Sequence, residues 1–229
     1  MKYFCALVVL AIVGCVPSML EYGRKLPPAP PVYNEPKLGG AGLDERDTSV
    51  IRDALVVLPK LMVDSVDLIN VSLDKEHFRS DPKKEPAAGH RCKNSENTIC
   101  LSKYWVTSRL VWHETAHVYE RRLSDYYLPD GAYYFKRDWK NVAGNVYGDS
   151  YLNGESEGVL TTYGRKSYRE DVADWVEECY RYIYEDTDSG VWKNKHLKKD
   201  ERYRQKLALL FKYGFFNEAD YKKLNPLFQ

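Results

Sequence analysis

One run of five residues limits what this chain can fold into more than any other feature. His113-Glu114-Thr115-Ala116-His117 has the form H-E-x-x-H, and its two imidazoles converge only if the segment is helical. Residues four apart stand one above the other on a helix, so His113 and His117 can point at one ion. The flanks agree with a helix from Val106 to Leu123, because Trp112, Ala116, Tyr119 and Leu123 fall on one apolar stripe. Glu114 lies about 100° round the helix from His113, beside the pair rather than in it. A carboxylate there can reach a water on the ion without ligating it, which is where a general base belongs. The bland alternative is a pair of histidines packed against core.

Two imidazoles do not complete a site. Zinc in a catalytic setting takes three protein ligands and keeps one position open. After His117 comes Val118-Tyr119-Glu120-Arg121, so no third histidine follows at short spacing. The third ligand is therefore expected to be a carboxylate on another element. A second amphipathic helix is marked by Val172, Val176, Cys179 and Ile183, and it opens Ser167-Tyr168-Arg169-Glu170-Asp171-Val172-Ala173-Asp174. Glu170 and Asp174 are four apart and share a face, so Glu170 can ligate while Asp174 orients a ligand imidazole from behind. Ser167-x-x-Glu170 also fits a capping box, in which Glu170 would reach back to a backbone N–H. Spacing alone leaves both roles open.

The segment Leu160-Thr161-Thr162-Tyr163-Gly164-Arg165, followed by Glu170 and Asp174, resembles the signature of the anthrax lethal factor-like zinc peptidases, a group that includes the Pro-Pro endopeptidases. The resemblance covers roughly residues 47–185. It implies a zincin-like metallopeptidase domain of α+β class, helix-dominated with a small sheet, holding one Zn2+ per chain. It implies His113, His117 and Glu170 as the metal ligands, Glu114 as the base, Tyr163 as a phenol facing the metal, and Asp174 as the acid behind a ligand. The family usually carries Glu at the last of these positions. The implied reaction is hydrolysis of a protein or peptide by a metal-activated water. A surface lipoprotein that keeps the fold but only binds is the competing expectation, and loss of Glu114 or Tyr163 would have favoured it.

The compartment is written at the start of the chain. Met1-Lys2 precedes an eleven-residue apolar run, Tyr3 to Val13, then Gly14-Cys15. Spanning a bilayer takes about 20 residues, so the run suits a secretory leader instead. Ile12-Val13-Gly14-Cys15 resembles a bacterial lipobox, which implies cleavage after residue 14 and a lipid on Cys15. An ordinary cleaved leader is the alternative. Residues 15–46 read as a lipid-anchored tether, since Pro27, Pro28, Pro30, Pro31 and Pro36 crowd together with Gly39, Gly40 and Gly42 behind them. The expected location is therefore the cell envelope, with a membrane held through the anchor. Cys92 and Cys100 flank a polar loop and can close a disulfide in an oxidising compartment, whereas Cys179 falls on an apolar stripe as a buried thiol. Lys+Arg number 34 against 33 Asp+Glu, which excludes the chain-wide basic footprint of a nucleic-acid binder.

The rest of the folded part, 47–229, divides by periodicity. Val50, Ile51, Ala54, Leu55 and Leu58 predict a helix before Pro59, with Asp47, Thr48 or Ser49 as its cap. Ile69, Val71 and Leu73 alternate with Leu68, Asn70 and Ser72 as a strand. Asp74 to Glu96 reads as loop. Thr98 to Leu101 reads as a short strand and as the candidate edge along which an extended peptide would lie. Ser124 to Glu157, rich in Tyr, Gly, Asn and Asp, shows no helix period and reads as a lid or binding wall. Tyr203, Leu207, Leu210 and Phe211 predict a further helix ending at Gly214, and Glu218 to Leu224 a short last one.

Overall fold

A computed structural model describes residues 35–74, 89–92, 97–124, 134–144, 146–148, 158–185, 190–193 and 196–228. The leader 1–14, Cys15 and most of the tether lie outside the described residues. The architecture is α+β, dominated by helices. Four strands form one sheet in the order β1-β2-β4-β3, with β1 Lys37–Gly39, β2 Leu68–Ser72, β3 Gly89–Arg91 and β4 Thr98–Ser102. β1, β2 and β4 run parallel, and β3 is antiparallel to β4. Among the described residues, no helix is long and apolar enough to cross a membrane.

Three expectations need correction here. The tether does not extend to residue 46, because Lys37 to Gly39 pair with Leu68 to Asn70 and Asp44 already caps the first helix. Non-local pairing outweighs the local Pro/Gly signal there. Gly40 makes the turn possible: its φ is +109°, and a Cβ would collide with the Val71 carbonyl. The loop read across 74–96 contains β3. Nor is Thr98 to Leu101 an edge, since β4 lies between β2 and β3 with every residue buried; the edge beside it is β3.

Among the described residues, seven α-helices follow from capping and stripe patterns. α1 spans Glu45–Val56 and starts at Asp44, whose carboxylate accepts from Asp47 N at 2.9 Å, rather than at Asp47, Thr48 or Ser49. α2 is the single turn Lys60–Val63. α3 spans Ser108–Ser124, α5 Tyr168–Tyr184, α6 Glu201–Lys212 and α7 Glu218–Leu224, close to the expected bounds. α4, Tyr134–Ala143, sits inside the segment read as helix-free. Phe135, Trp139 and Ala143 on its inner face are fully buried.

The core lies between the sheet, α1 and the α3–α5 pair, with α4 and α6 behind. Trp139, Trp175, Tyr180 and Tyr203 are its largest members, each contributing about 1.5–3 kcal/mol of burial or more. The two hydroxyls are satisfied, since Tyr180 Oη donates to Phe215 O at 2.9 Å and Tyr203 Oη to Val159 O at 3.1 Å, whereas the buried Trp175 Nε1 meets no acceptor among the described residues. Trp112 Nε1 donates to Ala54 O at 2.9 Å, which fixes α3 against α1. With α3 so held, its other face looks at α5.

Candidate metal centre

α3 and α5 pack along their length, and the facing side chains are those the motif carries. His113 and His117 come from α3, Glu170 from the first turn of α5. Ser167 caps α5 by accepting from Glu170 N at 3.3 Å. Only that half of a capping box forms, because the Glu170 carboxylate turns the other way. Its Oε2 stands 3.3 Å from His113 Nε2 and 3.3 Å from His117 Nε2, and the two ring nitrogens are 3.2 Å apart. The three atoms make a nearly equilateral triangle of groups able to hold a metal ion.

Charge and hydrogen bonding fit an ion in that triangle. Glu170 Oε2 is buried and receives no well-directed hydrogen bond, an expensive state for a carboxylate oxygen. Burial would raise the Glu170 carboxyl, but the two imidazoles facing it outweigh that and hold it well below the usual carboxylate range. Burial disfavours a charged His113, yet Glu170 and Glu177 beside the ring prevail and push it up to about 10. Both shifts have one cause, the close placement of two imidazoles against buried carboxylates.

Behind His113 the structure differs from expectation. Asp174 Oδ1 is 3.9 Å from His113 Nδ1, beyond hydrogen-bond reach, and the other Asp174 oxygen is taken by the Thr161 hydroxyl. Glu177 Oε2, one turn further along α5, stands 3.1 Å from the same Nδ1. The shorter aspartate falls short, and the longer glutamate at the next position on the stripe reaches the ring. Burial, opposed by Thr161 and His113, lifts the Asp174 carboxyl to about 6. Glu177 was missed in the sequence; its place on the 170/174/177 face of α5 was the signal available.

Thr161 also receives the Tyr163 and Gly164 N–H groups, at 3.1 and 3.3 Å, so one hydroxyl ties the 161–164 turn to α5. Tyr163 is 43% exposed and its ring centre lies 5.9 Å from that of His113. Burial of its hydroxyl end, with Glu170, Glu114 and Asp174 nearby, keeps the phenol protonated well above its usual range. Gly164 serves close approach: a Cβ there would sit 3.1 Å from Asp171 Cα and 3.2 Å from Asp174 Oδ2. Glu114 is buried beside the histidine pair and touches β3 at Gly89.

Elsewhere, Cys92 and Cys100 form a disulfide with Cα atoms 5.3 Å apart, tying the end of β3 to β4. Cys179 is a buried free thiol whose titration burial pushes up. Cys15 lies outside the described residues. No family model, curated protein or solved structure matches this chain.

Proposed function

We propose that this chain is a zinc-dependent endopeptidase of zincin-like fold, exported and lipid-anchored at the cell envelope. The observation that carries the proposal is the triangle of His113, His117 and Glu170. Four ligands about 2.0–2.1 Å from an ion at tetrahedral angles stand about 3.3 Å from one another. The three edges here are 3.2, 3.3 and 3.3 Å, so His113, His117 and Glu170 are the residues that would hold such an ion. Two imidazoles and one carboxylate are also a donor set zinc favours. The resemblance to the lethal factor-like peptidases, carried by Tyr163, Glu170 and Asp174 at the family's intervals, supports the same reading.

Zinc bound there supplies a water of pKa about 7 and an electrophile for the substrate carbonyl. The chain's own groups divide the remaining work. Glu114, buried and outside the ligand triangle, accepts the water's proton at its carboxylate and later passes it to the leaving amine. Tyr163, held neutral, donates its O–H to the carbonyl oxygen as negative charge develops there. Glu177 accepts the Nδ1 proton of His113 and so turns Nε2 toward the site. An extended peptide adds along β3, the outer strand of the described sheet, next to Glu114.

Elemental analysis of purified protein is expected to find one zinc per chain, lost in the His113→Ala/His117→Ala double variant. Glu114→Ala is expected to keep the zinc and to abolish peptide cleavage. Zinc retained by the double variant, or cleavage undiminished in Glu114→Ala, overturns the proposal.

A further inference from the structure

Three donors converge on one buried oxygen, one residue along α5 from Glu170. Asp171 is fully buried, and so is Lys206 on α6. Asp171 Oδ2 accepts from Lys206 Nζ at 2.5 Å, from Tyr147 Oη at 2.6 Å and from Trp139 Nε1, on α4, at 2.9 Å. The other oxygen, Oδ1, is buried without a hydrogen-bond partner. Leaving one carboxylate oxygen bare while three donors crowd the other is costly. A buried ion pair is in any case a weak source of stability, since apolar residues of like volume often replace one without loss. Its best-attested use is to fix how neighbouring elements sit.

The lopsided arrangement has a geometric consequence for Tyr163. The segment carrying that residue runs from Gly158 to Lys166, and each end is tied to the same oxygen through one intermediary. At the first end, Lys206 Nζ also donates to the carbonyl of the buried Gly158, at 2.6 Å. At the far end, Gly148 N, next to Tyr147, donates to Arg165 O at 3.3 Å. Tyr203, three residues before Lys206 on α6, adds its bond to Val159 O. Gly164 comes so near that a Cβ would stand 3.1 Å from Asp171 Cα. Tyr163 itself is 43% exposed, so core packing alone is a weak restraint on its ring.

We infer that Asp171, Lys206 and Tyr147 are positioning residues: their hydrogen bonds clamp the 158–166 segment at both ends and so hold the Tyr163 hydroxyl in a fixed place relative to Glu170. The inference rests on the peptidase reading and adds what sets the geometry of its oxyanion donor. The three act through Tyr163 and not on the peptide.

Two variants of the full chain release one end each. Tyr147→Phe removes the bond beside Gly148. Lys206→Met/Asp171→Asn removes the Gly158 donor and both buried charges together, while the Asn oxygen can still accept from Trp139 and Tyr147. In both, hydrogen exchange at the Tyr163, Gly164 and Lys166 amides is expected to quicken about tenfold, the effect of about one net hydrogen bond, with the middle of α5 exchanging as in the parent. Zinc stoichiometry is expected to stay at one. On a quenched peptide, kcat is expected to fall about tenfold with KM unchanged, because a displaced oxyanion donor weakens the transition state and not the bound substrate. Tyr163→Phe is expected to lower kcat about 10²–10³-fold, and either variant added to it is expected to lower kcat no further. Parent exchange rates at residues 163–166 in both variants overturn the clamp. A loss of kcat of the same size with Tyr163 present or replaced overturns its action through the phenol and leaves general destabilisation. A zinc-loaded parent that cleaves no peptide overturns the peptidase reading alone, and quickened exchange at residues 163–166 still supports the clamp.

Discussion

Gly89 is where the sheet comes up against Glu114, and adding one methyl there tests how closely that carboxylate is positioned. A Cβ at residue 89 would stand 3.1 Å from Glu114 Oε1, 3.2 Å from Glu114 Cγ and 3.1 Å from Leu110 Cδ1. Comfortable carbon contacts are about 3.5–4.0 Å, so the neighbours must give by about half an ångström. β3 has limited room to retreat, since its residues pair with Ile99 to Leu101 and the Cys92–Cys100 disulfide closes its end. The Glu114 side chain is the softer partner and takes much of the shift.

A displacement of about 1 Å in a reacting group can cost about a hundredfold in rate, so half of that displacement corresponds to about tenfold. Overpacking at this edge is expected to cost about 1 kcal/mol, or about 2–4 °C in Tm for a domain of this size. Gly89→Ala is therefore expected to lower kcat about tenfold in a quenched-peptide assay while zinc stoichiometry stays at one, because the atoms nearest the added methyl belong to Glu114 and Leu110 and not to the proposed ligands. Leu110→Ala in the same background opens space on the other side of the methyl and is expected to recover part of kcat. Unchanged kcat in Gly89→Ala would refute the close positioning of Glu114 by β3. Loss of zinc together with activity would refute the separation of base from ligands.

Two further outcomes follow from the α5 side. Glu170→Gln is expected to lose most zinc affinity, whereas Glu177→Gln is expected to weaken it about 10–100-fold and Asp174→Asn less than that; competition with a chromophoric chelator ranks all three. Lys206, fully buried, donates to Asp171 Oδ2 at 2.5 Å and to Gly158 O at 2.6 Å, so Lys206→Met takes the facing cation from a buried carboxylate that keeps only its neutral donors Trp139 Nε1 and Tyr147 Oη at that oxygen. That change is expected to cost about 3–5 kcal/mol, read as a Tm fall of about 10 °C or more, with a wild-type Tm taken alongside.

Long amphipathic helices were legible because their apolar stripes repeat over several turns. α3, α5 and α6 show that repeat plainly, and Ser167 announces the start of α5. α4 carries an equally regular stripe in Phe135, Trp139 and Ala143, but only two turns of it, set between stretches rich in Tyr, Gly and Asn. Composition of the surroundings hid a short periodic signal. β1 and β3 have three residues each, too few for alternation to register. What makes them strands is non-local: β1 takes its partner from residues 68–70, and β3 is folded onto β4 across a disulfide. No short window of sequence contains both halves of the β1–β2 pairing, and although β3 lies within a dozen residues of β4, three residues are too few to announce it.

The metal centre divides in the same way. His113, His117 and Glu170 were legible because helical periodicity alone sets which side chains share a face, and α3 and α5 then needed only to face each other. The choice between Asp174 and Glu177 was not legible, since both lie on the same stripe and the decision rests on one methylene and one hydroxyl. Thr161 takes an Asp174 oxygen and holds that side chain toward its own turn, while the longer Glu177 crosses to His113 Nδ1. The acid four residues after Glu170 thus supports the Tyr163 turn, and the acid seven residues after it supports the ligand. On the proposed function, one helix face would therefore serve metal, ligand orientation and the Tyr163 turn with three carboxylates, and only their lengths and neighbours assign the tasks.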